Sequence, residues 1–209
     1  MSDRNKYQIQ SEERRQNILN TAKRLFLRRD MTTVSMSDIA RECGISRQTL
    51  YKYFDGIDAI IFEIETRIMY RFTLLHAHGI SDLIDQFFDF YRQYPDDFLF
   101  VCLFDLYVHT HPIDPRLMEQ YRRTIHQYLP DLTRGLPESD GAAVDGIPLR
   151  KYYIVAAHTA WGLMSRMAIL QQDYAGGYEI SETESRQILK KMLRNLFPGK
   201  YPDQKERNP

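Results

Sequence analysis

The sequence predicts an all-α protein of about nine helices, a small N-terminal three-helix unit joined to a larger C-terminal helical bundle. Three observations carry this. Apolar residues recur at steps of three and four almost everywhere, the spacing of one face of a helix. No run alternates polar and apolar residues between turn signals, as a half-buried strand does. Glycine and proline cluster at a few points and divide the helical stretches from one another.

Taken in order, the first helix carries the stripe Ile18, Leu19, Ala22, Leu25 and Phe26, with Arg14, Arg15, Lys23, Arg24 and Arg28 around it. Two short helices follow, near 36–43 and 47–54, then a longer one from about 57 to 76, with a break at Gly79 and Ser81. Pro95 separates a helix near 81–94 from one near 96–109. His111 to Pro115 forms a connector into a helix ending near Leu129. Gly, Pro and Asp between Pro130 and Pro148 read as a loop. The last two helices lie near 149–173 and 181–197, the second opened by Ser181 and Glu184 at capping-box spacing.

With 209 residues, 43% of them hydrophobic and 27% charged, the chain has ordinary globular usage, and no stretch reaches the roughly 18 apolar residues of a membrane span. The first residues lack a secretory or lipidation pattern, so a cytoplasmic protein without membrane partners is expected. Cys43 and Cys102, both in helical segments, read as small buried hydrophobes rather than a disulfide framework. Net charge is zero but uneven: residues 1–60 hold 11 Lys and Arg against 8 Asp and Glu. The N-terminal end is therefore the side expected to face phosphates.

The segment Ser35 to Phe54 carries two helix starts and one stop at short offsets. Ser35 caps the first helix with Asp38 three residues on, Gly44 supplies a left-handed turn, and Ser46 caps the second helix. Met36, Ile39, Ala40, Ile45, Leu50 and Phe54 then fall inward, where small Ala40 permits close approach. Arg47, Gln48, Thr49, Tyr51, Lys52 and Tyr53 are left on the outer face. Arg and Gln at the start of such a helix suit bidentate reading of guanine and adenine edges, while Thr, Tyr and Lys suit phosphate oxygens.

Asp38-Ile39-Ala40, Gly44-Ile45-Ser46 and Thr49-Leu50-Tyr51-Lys52-Tyr53-Phe54 match, in order and spacing, the N-terminal domain of TetR-family regulators, which residues 11–60 resemble. The resemblance implies base contacts from Arg47, Gln48 and Tyr51, and backbone contacts from Ser35, Ser46, Thr49, Lys52 and Tyr53. It also implies a homodimer, paired through the last two helices, that reads a near-palindromic operator in double-stranded DNA. Release by a small-molecule effector is part of the same expectation, as is a division into a helix-turn-helix domain, residues 1–56, and a ligand-binding and dimerisation domain, residues 57–209. Two positions depart from the family pattern. Asp30 stands where Gly usually follows the first helix, and Asp tolerates a left-handed cap. Ile57 stands where a phosphate-pinning Lys often opens the fourth helix.

Beyond residue 60 the chain is dense in aromatics, consistent with a pocket for a small apolar or aromatic effector and equally with a packed core. Phe87, Tyr91, Phe104, Asp105, Tyr121, His158 and Trp161 are the candidate ligand residues. Asp105 and His158 lie inside apolar runs and are expected to be buried, satisfied either within the protein or by a ligand. Asp82, Asp85 and Asp89 read as a solvated stripe. Ala156, Ala157, Ala160 and Gly162, with the apolar stripes of the last two helices, offer a dimer interface or intramolecular packing. His76 with His78 and His109 with His111 lack the further ligands of a metal site, and no catalytic or cofactor motif is present, so a non-enzyme without cofactor is expected. A DNA-binding regulator controlled by a protein partner, or by nothing, is the alternative function.

Overall fold

The computed structural model describes residues 3–74, 80–128, 143–144, 146–170 and 177–196. Among these are nine α-helices of five residues or more: α1 (Asp3–Arg28), α2 (Met36–Glu42), α3 (Arg47–Tyr51), α4 (Ile57–Thr73), α5 (Ile80–Gln93), α6 (Pro95–Thr110), α7 (Pro115–Tyr128), α8 (Leu149–Leu170) and α9 (Glu182–Leu196). The protein is all-α, as its periodicity predicts. Pro95 opens α6 and Pro115 opens α7, positions where a missing N–H costs nothing. One small departure is a pair of two-residue strands, β1 (Ala143–Val144) and β2 (Ile147–Pro148), paired antiparallel with Val144 opposite Ile147. Gly146, at φ +77°, lies between them in the left-handed region that favours glycine. The rest of the expected loop at 130–148 lies outside the described residues, as do 171–173 and Phe197.

Two compact units organise the chain: residues 1–72 with 99–128, and residues 73–98 with 129–209. In the first unit, Ile18, Leu19, Ala22 and Phe26 of α1 are buried, as are Ile39, Ala40 and Leu50, and α2 packs on both α1 and α3. Phe26 meets Phe100 of α6 at 6.3 Å between ring centroids. A second aromatic group joins α4, α6 and α7, with Phe62, Phe104 and Tyr121 mutually 5.1 to 5.4 Å apart. These rings pack α4, α6 and α7 with the N-terminal helices in one unit.

In the second unit α5 packs on both α8 and α9. Leu83, Ile84, Phe87 and Phe88 point inward from α5 and Ala156, Ala160, Met164 and Met167 from α8. The acidic residues of α5 are solvated only in part: Asp89 is exposed, but Asp85 is half-buried and both are paired with α9. Arg186 of α9 donates to Asp85 (2.7 Å) and Asp89 (3.0 Å), and Lys190 donates to Asp85 (2.5 Å). Burial pushes the Asp85 carboxyl up, but Lys190 and Arg186 outweigh it and hold it below its ordinary value. Spacing on one helix places such a stripe on a face; only the docked α9 shows that its cations lie opposite.

Candidate nucleic-acid interface

Helix α2 begins at a reciprocal cap. Ser35 Oγ accepts from the Asp38 N–H (3.2 Å) while the Asp38 carboxylate accepts from the Ser35 N–H (3.0 Å) and hydroxyl (2.6 Å). Those hydrogen bonds, with Arg41 at 2.5 Å, hold the Asp38 carboxyl down to about 2. At the other end Gly44 takes φ +66°, and the N–H groups of Gly44 and Ile45 donate back to Arg41 and Ala40. A residue with a Cβ is strained in that conformation, which is why the turn calls for glycine. Ser46 then caps α3 by accepting from the Thr49 N–H (3.0 Å), and the two hydroxyls meet at 2.8 Å.

The preceding turn differs from expectation. Asp30 is not left-handed: at φ −51° and ψ 127° it caps the 3-10 turn Met31–Thr33, its carboxylate accepting from the Thr32 N–H at 2.8 Å. A carboxylate that captures a free N–H replaces the conformational role of glycine. Those hydrogen bonds from Thr32 hold its carboxyl below the ordinary range.

With α2 and α3 fixed, their outer faces present all eight expected residues. Ser35, Ser46, Arg47, Gln48, Tyr51 and Lys52 are exposed, and Thr49 and Tyr53 are half-buried. Arg47 leans on Tyr51, its guanidinium carbon 5.7 Å from the ring centroid and its Nη2 3.4 Å from the hydroxyl. That contact limits the freedom of both side chains before any partner arrives. Leu50, wholly buried, anchors the other side of α3.

The frame behind this face rests on contacts between residues far apart in sequence, which local reading does not reach. Arg15 of α1 donates to the backbone carbonyl of Tyr53 (2.8 Å) and makes a two-pronged pair with Glu63 of α4, Nε to Oε1 at 2.9 Å and Nη2 to Oε2. Its guanidinium also lies 4.3 Å from the Phe54 ring centroid. Burial pushes the Glu63 carboxyl up, and the hydrogen bonds from Arg15 and Arg67 more than reverse it. Farther along, the Tyr107 hydroxyl of α6 donates to Asp58 of α4 at 2.6 Å, and the His111 ring stacks on Tyr107 at 4.7 Å. Burial, and then Asp58, push the Tyr107 phenol up, so it stays a donor at any ordinary pH.

The candidate ligand residues fall into separate groups within the two units. Phe104 and Tyr121 pack with Phe62 in the first, where the Tyr121 hydroxyl donates to buried Glu65 at 3.3 Å. Burial, then the Glu65 charge, push the Tyr121 phenol up. In the second unit Phe98 gathers Tyr91 (5.5 Å) and Trp161 (4.6 Å), while Phe87 is buried. Asp105 and His158, however, are exposed, not buried. Asp105 stands beside exposed Leu106 on a helix that is apolar almost all round, so apolar neighbours in sequence did not imply an inward direction. Apolar surroundings still push its carboxyl up. The ring of His158 turns back on its own helix, Nδ1 lying 2.8 Å from the Ile154 carbonyl.

His158 belongs to an outward face of α8 that also exposes Val155 (65%) and Ile169, and α9 has an outward face of its own exposing Ile188 and Met192 (60%). The stripes of these helices thus divide. Ala156, Ala160, Met164, Met167, Leu189 and Leu193 turn inward, and Gly162, Ile188 and Met192 turn outward. Cys43 and Cys102 are half-buried thiols, neither fully enclosed nor bridged. Among the described residues no group of three or more His, Cys, Asp or Glu is placed to hold a metal, and no helix is long and apolar enough to cross a membrane.

Residues 18–64 match the family model described as bacterial regulatory proteins, tetR family. Two HTH-type transcriptional regulators of Mycobacterium tuberculosis strains are 49% identical over 43 residues, 21% of this chain. The chain spans about a fifth of the length of these curated relatives, 21% of each. Among solved structures, Salmonella enterica GusR superposes with a TM-score of 0.65 at 18% identity, covering 88% of this chain and 95% of that one. The fatty acid degradation regulator FadR from Bacillus halodurans gives 0.60 at 14% identity, covering 90% and 97%. At such identities the likeness is one of fold, and it extends well past the matched N-terminal segment.

Proposed function

We propose that this chain, a member of the tetR family of bacterial regulatory proteins through its N-terminal domain, binds double-stranded operator DNA as a homodimer and represses transcription until a small effector releases it. The observation that carries the reading is the set Arg47, Gln48, Tyr51 and Lys52, all exposed, with half-buried Thr49 and Tyr53, on α3 and just past its end. Side chains that combine bidentate donors with hydroxyls suit base edges flanked by phosphates, and α3 is oriented before binding by the Ser46 cap and the Gly44 turn. In this reading Arg47, Gln48 and Tyr51 meet bases, and Ser35, Ser46, Thr49, Lys52 and Tyr53 meet the backbone. The role boundary then falls near residues 56 and 57, with α1 to α3 reading DNA and the later helices controlling them. Transcription factors of this family are not enzymes, and no catalytic role is assigned.

The homodimer is supported by the outward apolar face of α8 and α9. Val155, Ile169, Ile188 and Met192 are large apolar side chains left in solvent by one chain, a pattern that marks an interaction surface. Pairing these helices across a two-fold axis sets two copies of α3 against half-sites about one DNA turn apart, on the order of 34 Å.

Effector release has its support in the aromatic groups around Phe104 with Tyr121 and around Tyr91 with Trp161, chemistry that suits a small apolar or aromatic molecule. The rival reading, control by a protein partner or by nothing, gains from the absence of Asp105 and His158 from the interior. A thermal-shift screen of apolar and aromatic compounds separates the two: an effector raises the melting temperature by mass action and lowers operator affinity in the same concentration range. Replacing Arg47 and Tyr51 by Ala tests DNA reading. Specific binding is expected to vanish with the dimer intact, and unchanged operator affinity would remove the assignment of α3.

A further inference from the structure

A groove runs between α1 and the C-terminal end of α3, lined by Ser11, Glu12, Arg14, Arg15, Thr49, Lys52 and Tyr53. Three of these residues belong to the proposed reading face, and four belong to α1. Two of the α1 residues are already committed. Arg15 is held by Glu63 and the Tyr53 carbonyl, and Glu12 is paired with Arg67 at 3.1 Å. Arg14 is different: it is exposed, and no hydrogen bond or ion pair is recorded for it or for Lys52 among the described residues. The groove therefore presents two uncommitted cations, Arg14 and Lys52, together with Thr49 and Tyr53. The fourth helix meanwhile opens with Ile57, a side chain that cannot hold a phosphate.

We infer that Arg14 of α1 is a DNA-backbone anchor, gripping a phosphate across this groove from Lys52 and supplying the contact that Ile57 cannot make. The inference rests on the DNA-binding reading and extends the interface beyond the helix-turn-helix to the first helix. Because Thr49, Lys52 and Tyr53 line both the groove and the reading face, a duplex seated on α3 carries one strand's phosphates over the groove. Arg15 ties α1 to the end of α3 through the Tyr53 carbonyl (2.8 Å) and to α4 through Glu63, so the two sides of the groove are held together. A phosphate contact positions the protein without reading sequence, so its loss weakens binding to every duplex alike.

The test uses the full chain and a duplex enriched from a random library by the wild-type protein. Operator affinity is measured as a function of KCl for the wild type, Arg14→Ala, Arg14→Lys, and Arg116→Ala, an exposed cation on α7. Each phosphate contact contributes a slope of about 0.9 in log K against log salt, so Arg14→Ala in a dimer is expected to lower the slope by about 1.8. If the curves converge at about 1 M salt, that slope is about 60-fold in affinity at 0.1 M. The loss should be equal on a scrambled duplex, Arg14→Lys should restore most of it, and Arg116→Ala should match the wild type. An unchanged slope in Arg14→Ala, with wild-type binding intact, overturns this inference and leaves the DNA-binding reading standing. A wild-type chain that enriches no duplex overturns both.

Discussion

Replacing Tyr107 by Phe removes one oxygen and leaves the ring, its stack on His111 and the packing of α6 in place. What is lost is the 2.6 Å hydrogen bond to Asp58 in the first turn of α4. Tyr107 is only 8% exposed and Asp58 is half-buried, so water does not fully replace the donor. A hydrogen bond to a charged group contributes about 1.5–3 kcal/mol, and the carboxylate left behind keeps part of its desolvation cost. Taking the middle of that range, Tyr107→Phe should lower unfolding free energy by about 2 kcal/mol and the melting temperature by about 4–8 °C for a chain of this size. Urea unfolding followed by circular dichroism, at one fixed protein concentration, measures it. In a double-mutant cycle with Asp58→Ala most of the loss should appear as coupling between the two positions. A loss under about 0.5 kcal/mol, or full additivity, would refute the claim that this bond stabilises the fold.

Three further outcomes are expected. Ser46→Ala removes the cap on the Thr49 N–H and should cost about 1 kcal/mol of stability while weakening operator binding, both read on the same preparation. The Asp38 carboxyl is held at about 2, against an ordinary 3.8. A lowered acid stabilises the fold fully above its unfolded value and loses that contribution as pH falls through its folded value. Acid titration should therefore show a loss between about pH 4 and pH 2 that Asp38→Ala lacks, and identical curves would remove the capping role. If the proposed homodimer pairs through α9, Met192→Glu with Ile188→Glu should give a monomer by analytical ultracentrifugation and abolish palindrome binding, because charge placed on an apolar interface is costly to bury. A double variant that remains dimeric would move the interface away from α9.

The helix-turn-helix was legible because its determinants are local. Ser35 with Asp38, Gly44, and Ser46 with Thr49 lie within three or four residues of the groups they satisfy, so type and spacing dictate the geometry. Helix boundaries were read nearly as well, since Pro95 and Pro115 each force a start. Direction on a helix that is apolar on most sides was not legible. Asp105 and His158 sit among hydrophobic neighbours yet face outward, His158 on the face that α8 leaves open and Asp105 next to exposed Leu106. Nor were the long-range partners. Arg15 meets Glu63, Asp58 meets Tyr107, and Asp85 meets Arg186 across gaps of 48, 49 and 101 residues, and no local pattern names either end. Asp30 was foreseen as a tolerated substitute for glycine. It instead spends its carboxylate on the Thr32 N–H, a solution that glycine does not possess.

Enrichment of DNA from a random duplex library by the wild-type chain, followed by sequencing, tests the central claim most directly. The account predicts two inverted half-sites whose centres lie about 10 base pairs apart, or a multiple of one turn, with enrichment lost in the Arg47→Ala, Tyr51→Ala variant. No enrichment over the starting library, or the same enriched sequence from that variant, would contradict it.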